Sequence, residues 1–208
     1  MVTPTAQPLP SYSPGTAPGA PPVADAEAVA RRAIDERDYE GALEWLMRSY
    51  GTALYRYCRH QLGEEDLADE VHQTTFVQAF DALPGFQGRS SLRTWLFGIA
   101  RHRCLDAAKI RRRRDHRFPL TENLPESPSP APGPEEKLRG RRRIRALQEC
   151  LATLAPRVRD SILLRFQQGL SYVEMGRLGG ERPPTLQARV VRALPALRRC
   201  LEDKGVTP

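Results

Sequence analysis

The stretch GLSYVEMGRLGGERPPTLQARVVRALPALRRC, Gly169–Cys200, decides the fold. Its first part carries more than one helix-start marker. Ser171 and Glu174 have capping-box spacing, in which each side chain satisfies a backbone N–H that the first helical turn leaves open, and Leu170 with Met175 fit the accompanying hydrophobic staple. Gly179-Gly180 stops this short helix. Pro183-Pro184 starts another, since a first helical position has no use for the N–H that proline lacks. In that last helix Leu186, Val190, Ala193, Leu194 and Leu197 cluster within about a third of the circumference. Gln187, Ala188, Val191 and Arg192 lie opposite. A short helix, a glycine turn and a longer helix make a helix-turn-helix. In a DNA reader the outer face enters the major groove; the other reading is a helical hairpin with a solvated face.

Outward from this motif the chain remains helical. Ile144, Leu147, Leu151 and Leu154 mark one helix of a block that starts near Leu138. Pro156 opens another, with Val158, Ile162 and Phe166 turned inward. An earlier block starts near Ala24. There Leu43, Leu46, Met47, Tyr50, Leu54 and Tyr57 have the spacing of a buried stripe. EEDLADEVHQTTFVQAF (64–80) comes next, with Leu67, Val71, Thr75 or Phe76, and Ala79 on one side. LPGFQGRSS (83–91) is a loop rich in breakers. The next helix takes Ser90 or Ser91 as its cap. It buries Leu92, Trp95, Leu96 and Ile99, turns Thr94 and Arg101 away, and runs into Lys109 and Arg111 to Arg114. No segment alternates with period two, so the expected class is all-α. Two helical domains are expected, joined by a flexible Pro-rich linker, the second carrying the helix-turn-helix. The linker stretch Phe118–Glu136 holds six prolines and is long enough for independent motion. Residues 1–24, with seven prolines, read as a disordered tail.

Charge narrows the partners. The 208-residue chain carries a formal net charge of +7, which suits a polyanion such as nucleic acid. Yet Glu64, Glu65, Asp66, Asp69 and Glu70 crowd one segment. That patch excludes nucleic acid there and reads as a solvated face or as a site for a basic protein. Arg89 and Arg93 pose the reverse problem. Arg93 opposes the helix dipole, and no carboxylate lies within one turn; a DNA phosphate would compensate. Phe86, Trp95 and Phe97 add aromatic surface of the kind that stacks on single-stranded bases. Trp95 lies on the apolar stripe and reads as core. Phe97 projects about 140° from Leu92 and is less easily buried.

The four cysteines, Cys58, Cys104, Cys150 and Cys200, form no C-x-x-C pair and read as reduced thiols. His60 and His102 sit two residues from a cysteine, a spacing that makes no metal clamp on a helix. No metal and no cofactor is expected. G-x-x-x-x-G-K-[ST], H-E-x-x-H and paired carboxylates are missing, so no enzyme and no small-molecule substrate is expected. Asp106 and Asp115 fit ion pairing among basic neighbours. No stretch of about 18 apolar residues exists, so membrane insertion is not expected.

These residues resemble the extracytoplasmic-function (ECF) sigma factors of bacterial RNA polymerase. GFQGRSSLRTWLFGIARHRCLDAAKIRRRR (85–114) is similar to the end of their first conserved domain, and ADEVHQTTFVQAFDALP (68–84) to the polymerase-binding part before it. LQECLATLAPRVRDSILLRFQQGLSYVEM (147–175) is similar to the start of their second. The resemblance implies sigma region 2 over 25–115, a linker over 116–137, region 4 over 138–203 and a tail over 204–208. It implies core-polymerase binding by Asp69, Glu70, Gln73 and Thr74. Minus-ten recognition and melting would fall to Phe86, Gln87, Gly88, Arg89, Ser90, Ser91, Arg93, Arg101, Lys109 and Arg112. Minus-thirty-five recognition would fall to Thr185, Gln187, Ala188, Arg189, Val191 and Arg192. The implied partners are core RNA polymerase, promoter DNA and an anti-sigma factor. The implied location is the cytoplasm, at the nucleoid or held at the membrane by the anti-sigma factor. Thr74 stands where the family commonly has an acid, Gln187 where it has a base, Ala188 where it has serine. Gly180 to Pro184 departs from the usual turn, and Pro195 interrupts the last helix. A stand-alone helix-turn-helix regulator would explain only the second block. A structural or RNA-binding module would leave the duplex reader unexplained.

Overall fold

A computed structural model describes residues 23–117 and 135–206. Among them are eight α-helices and no strand: α1 Val23–Asp35, α2 Tyr39–Leu62, α3 Glu65–Ala82, α4 Leu92–Arg117, α5 Glu135–Ala152, α6 Pro156–Ile162, α7 Tyr172–Gly179 and α8 Pro183–Asp203. A 3₁₀ turn, Leu83–Gly85, follows α3, and a π turn, Leu163–Gln167, follows α6. No described helix is long and apolar enough to cross a membrane. The Pro-rich tail through residue 22 and the linker over 118–134 lie outside the described residues; 116–117 and 135–137, expected as linker, are helical.

Helix α2 starts where the Asp38 side chain accepts from Gly41 N at 2.9 Å, and it ends at Gly63, whose φ of 84° suits glycine. Leu46, Tyr50, Leu54 and Tyr57 are buried, Leu43 is half-buried, and Met47 is exposed, against expectation. In α3 Ala68, Val71, Thr75, Phe76 and Ala79 are buried. Thr75 can be, because its hydroxyl donates to Val71 O at 2.6 Å.

Helix α4 departs most from its apolar stripe. Leu92, Leu96, Phe97, Ala100 and Cys104 are fully buried, while Trp95 and Ile99 are half-buried. Thr94 and Arg101, expected outside, are both largely enclosed. A helical wheel assumes one buried face. Helix α4 has more, since α2 and α3 pack on it and so do α6 and α7.

Its N-terminus explains the position of Arg93. Ser91 Oγ accepts from Thr94 N at 3.0 Å, so Ser91 is the cap. Glu27 of α1, only 3% exposed, accepts from Leu92 N and Arg93 N, each at 3.0 Å, and from the Tyr50 hydroxyl at 3.0 Å. A carboxylate at a helix N-terminus offsets the dipole and satisfies open N–H groups. The compensating anion is therefore a side chain some 65 residues upstream in sequence, where a DNA phosphate was expected.

The helix-turn-helix forms as read. Ser171 and Glu174 make both capping-box bonds, Leu170 and Met175 are buried, and Gly180 adopts a left-handed φ of 67°. A Cβ at Gly176 would lie 2.7 Å from Glu181 O, so this turn requires glycine there. Helix α8 continues through the exposed Pro195 to Asp203 rather than breaking. Ile144 and Phe166, expected inward, are exposed. For Phe166 the cause is the π turn: Gln168 N bonds Leu163 O and Leu170 N bonds Leu164 O, and the extra residue rotates the side chains of this last turn around the helix axis.

The thiol reading is corrected in part. Cys150 of α5 and Cys200 of α8 form a disulfide, while Cys58 and Cys104 are free, their sulfurs 3.8 Å apart. Sequence spacing could not show that the two helices run side by side.

Two outcomes test this description. Glu27→Ala should cost about 2 kcal/mol in urea unfolding, because it strands charge-assisted bonds at a buried helix start; a loss below about 0.5 kcal/mol would be that of an ordinary surface change. Reducing the Cys150–Cys200 bond, which closes a 50-residue separation, should cost about 2–4 kcal/mol by loop entropy. An unfolding midpoint that ignores reductant would contradict the pairing.

Candidate nucleic-acid interface

The loop between α3 and α4 builds a cavity of 840 Å³. Phe86, Gln87, Arg89, Ser90 and Trp95 line it from the first block. Phe86 and Trp95 stack at a tilt, with centroids 5.3 Å apart. Trp95, read as core, thus turns one face to this cavity. Gly88 has a φ of 67°, which lets the chain turn back toward α1. There Arg31 donates to Ser90 O at 3.3 Å and lies 6.0 Å over the Phe86 ring. Arg31 was missed in the sequence, since nothing local ties it to a loop 59 residues away.

Lys109 and Arg112 are exposed on α4. Arg93 and Arg101 are engaged by the second block. Arg93 Nη2 donates to Gln168 Oε1 at 3.2 Å. Arg101 Nε donates to Asp160 Oδ2 at 2.7 Å, and Glu181 lies 3.9 Å from the same guanidinium. The Tyr57 hydroxyl donates to the other oxygen of Asp160 at 2.7 Å. Burial pushes the Asp160 carboxyl up from its usual value, against the pull of Arg101 and Tyr57.

Other bonds cross the same boundary. Gln61 Nε2 donates to Pro156 O at 2.9 Å, and the buried Arg159 donates to Gln61 O at 2.6 Å. Gln167 meets His60 at 3.0 Å. Helices α4 and α7 approach so closely that a Cβ at Gly98 would sit 3.0 Å from Leu178. The blocks expected to move independently share one apolar cluster in this structure. Among the described residues three buried side-chain atoms have no hydrogen-bond partner, Gln61 Oε1, Gln167 Oε1 and Gln168 Nε2, and all three belong to residues of this boundary. An orphaned buried polar group costs about 1–3 kcal/mol.

The acidic segment lies on α3. Asp69, Glu70 and Gln73 are exposed together, and Thr74 is half-buried, donating to Glu70 O at 2.8 Å. Glu64 and Glu65 pair with Arg111 and Arg59 at 3.2 and 3.5 Å.

On α8 Thr185, Gln187, Val191 and Arg192 are exposed and Ala188 is half-buried. Arg189 differs. It bonds Ser161 Oγ at 3.2 Å and Glu181 Oε1 at 3.1 Å, strapping the turn. Its hydrogen bond holds the Glu181 carboxyl below the usual range. Among the described residues no cluster suits a metal ion. His102 pairs with Asp106 at 3.2 Å.

The family model "Sigma-70 region 2" matches residues 46–115, and "Sigma-70, region 4" matches 144–197. ECF RNA polymerase sigma factor SigC of Mycobacterium tuberculosis is 32% identical over 190 residues, covering 88% of this chain and 96% of that one. RNA polymerase sigma factor NccH of Alcaligenes xylosoxydans is 30% identical over 181 residues, covering 86% and 96%. Two solved structures share the fold. Sigma factor RpoE, crystallised with the anti-sigma factor NepR from Bartonella quintana, has a TM-score of 0.61 at 22% identity, over 75% of this chain and 94% of that one. CnrH in complex with the cytosolic domain of CnrY has a TM-score of 0.60 at 24% identity, over 86% and 97%. With both domain models matched in order and relatives covered almost from end to end, the chain belongs to the ECF sigma factors of RNA polymerase.

Proposed function

We propose that this sigma factor divides its work among three surfaces. The exposed Asp69, Glu70 and Gln73 of α3, with Thr74 beside them, dock on a basic surface of core RNA polymerase. The cavity of Phe86, Gln87, Arg89, Ser90 and Trp95 takes an unstacked base of the minus-ten element, with Gly88 and Ser91 shaping the loop that carries it. Arg93, Arg101, Lys109 and Arg112 carry the adjoining backbone. The outer face of α8, with Thr185, Gln187, Ala188, Val191 and Arg192, reads the minus-thirty-five element, and Arg189 holds the turn that aims it.

The observation that carries this reading is the tilted Phe86–Trp95 pair, which opens onto a cavity edged by Arg89. Stacking surface beside positive charge suits single-stranded bases, and duplex readers have no need of it. The chain has no chemical step to perform: its task is binding and strand separation. Promoter DNA as ligand puts its working place at the nucleoid. The two structural relatives were solved with a bound partner, in one case a named anti-sigma factor. An anti-sigma factor that covers these same surfaces, and can hold the chain at a membrane, fits this protein too.

Glu70→Lys with Gln73→Lys should abolish binding to core polymerase while circular dichroism and unfolding midpoint stay unchanged. Normal core affinity in that variant would remove the assignment of α3. Arg192→Ala should weaken binding to the upstream element about tenfold, since a bidentate arginine–guanine contact is worth about 1–3 kcal/mol. Selection from a randomised upstream element by holoenzyme checks this. Identical selected bases for wild type and variant would mean that this face does not read DNA.

A further inference from the structure

Neither core binding nor DNA reading calls for the Cys150–Cys200 disulfide. Cys150 is in α5 and Cys200 is near the end of α8, so the bond closes a ring around α6, α7 and most of α8, the whole helix-turn-helix. Pro195 lies inside that ring. It has no N–H to give Val191 O, so α8 is weakened there, and residues 196–203 depend on what holds them to α5. The noncovalent hold is thin. Leu147 and Leu151 of α5, with Leu194 and Leu197 of α8, line a cavity of 330 Å³. Wall atoms of a cavity forfeit the contacts that a filled core would give them. Glu149 of α5 pairs with Lys204 just past the end of α8, but at the surface, where an ion pair adds little.

Resting on the function proposed for α8, we propose that Cys150–Cys200 is a thiol–disulfide exchange site whose co-reactant is a low-molecular-weight thiol, and that opening it loosens α8 and weakens upstream recognition. RNA polymerase works in a compartment that keeps thiols reduced, where a disulfide is as a rule transient or sensing. The two cysteine pairs differ in access. Cys58 and Cys104 have no exposed surface, and their mutual hydrogen bond and burial hold the Cys104 thiol well above its usual range. The thiolate is the reacting form, so this pair is inert. Cys150 is fully buried, but its partner Cys200 is only half-buried on α8. Cys200 is the sulfur open to attack.

The exchange takes two steps. A thiolate RS⁻ attacks Cys200 Sγ, the S–S bond breaks, and Cys150 leaves as a thiolate that takes a proton. A second thiolate attacks the mixed disulfide on Cys200, which frees Cys200 to take a proton and releases RSSR. Two RSH are oxidised and one disulfide is reduced, two electrons in all. The same steps in reverse, with RSSR as oxidant, close the bond. Closed, the ring fixes residues 196–203 on α5. Open, α8 frays back to Pro195, and Ala193 and Leu194, which back the turn carrying Arg192, lose their support.

The test uses the full chain in excess reduced or excess oxidised glutathione. Alkylation and mass measurement after unfolding should count four free thiols in the first and two in the second. Reduction should speed hydrogen exchange over residues 196–203 at least tenfold. It should weaken holoenzyme binding to duplex with the upstream element at least tenfold, while binding to a pre-melted minus-ten bubble without that element stays within about twofold. Cys200→Ser should match the reduced wild type in both buffers. A bond that stays closed in excess reduced glutathione would overturn the exchange site. An opened bond with unchanged upstream affinity would overturn the switch, a readout on wild type that stands even if the variant fails to fold. Equal binding of the oxidised holoenzyme to promoters with and without the upstream element would overturn the reading role of α8 itself, and the switch with it.

Discussion

Asp160 sits 1% exposed between the Tyr57 hydroxyl and the Arg101 guanidinium, and the arrangement of the two domains turns on it. A buried carboxylate is costly unless it is paired and its lone pairs are filled. Here one oxygen receives Tyr57 from α2 and the other receives Arg101 from α4. One residue of α6 therefore ties the second domain to two helices of the first. The neighbouring bonds, Arg159 to Gln61 O and Gln61 to Pro156 O, cross the same boundary from side chain to backbone. Such bonds fix orientation sharply, because each is directional. They add little net stability where atoms on the same residues stay orphaned.

Helix α4 is consequently shared property. Its apolar face belongs to the first domain, through Leu92, Leu96 and Phe97. Its arginine face is held by the second domain, and in the proposed function it serves DNA. A helix asked to do this needs its start fixed independently of either ligand. Glu27 does so, binding Leu92 N and Arg93 N from α1. The same helix supplies Arg31 to Ser90 O, so α1 positions both the helix start and the loop that makes the base cavity.

Much of this was legible in the sequence where the cause is local. Ser171 and Glu174 are three apart and cap one helix; the Gly180 turn and the Pro183 start are equally local, so the helix-turn-helix could be read directly. The amphipathic stripe of α2 was legible because one face of that helix is buried. Helix α4 was not, because packing on more than one side gave Phe97 and Thr94 burial that a single-face wheel assigns outside. Glu27 at the start of α4, Arg31 at Ser90, Asp160 at Arg101 and Tyr57, and the Cys150–Cys200 bond join residues 50 or more apart, and single-sequence spacing carries no trace of such pairs. The π turn after Ile162 has no local marker either, which is why Phe166 was placed inside. The arrangement of Phe86, Gln87, Arg89 and Ser90 around one cavity became visible only with Trp95 turned half outward.

A photo-crosslinker at Arg89 tests the account most directly, because Arg89 and Arg177 line one cavity, which α7 walls and which the proposed function opens to DNA. In the free chain it should capture α7 within the same molecule. In the holoenzyme on promoter DNA that product should vanish and a crosslink to the minus-ten element should replace it. Capture of α7 that persists undiminished in the initiating complex, with no crosslink to DNA, would contradict the claim that one surface serves both.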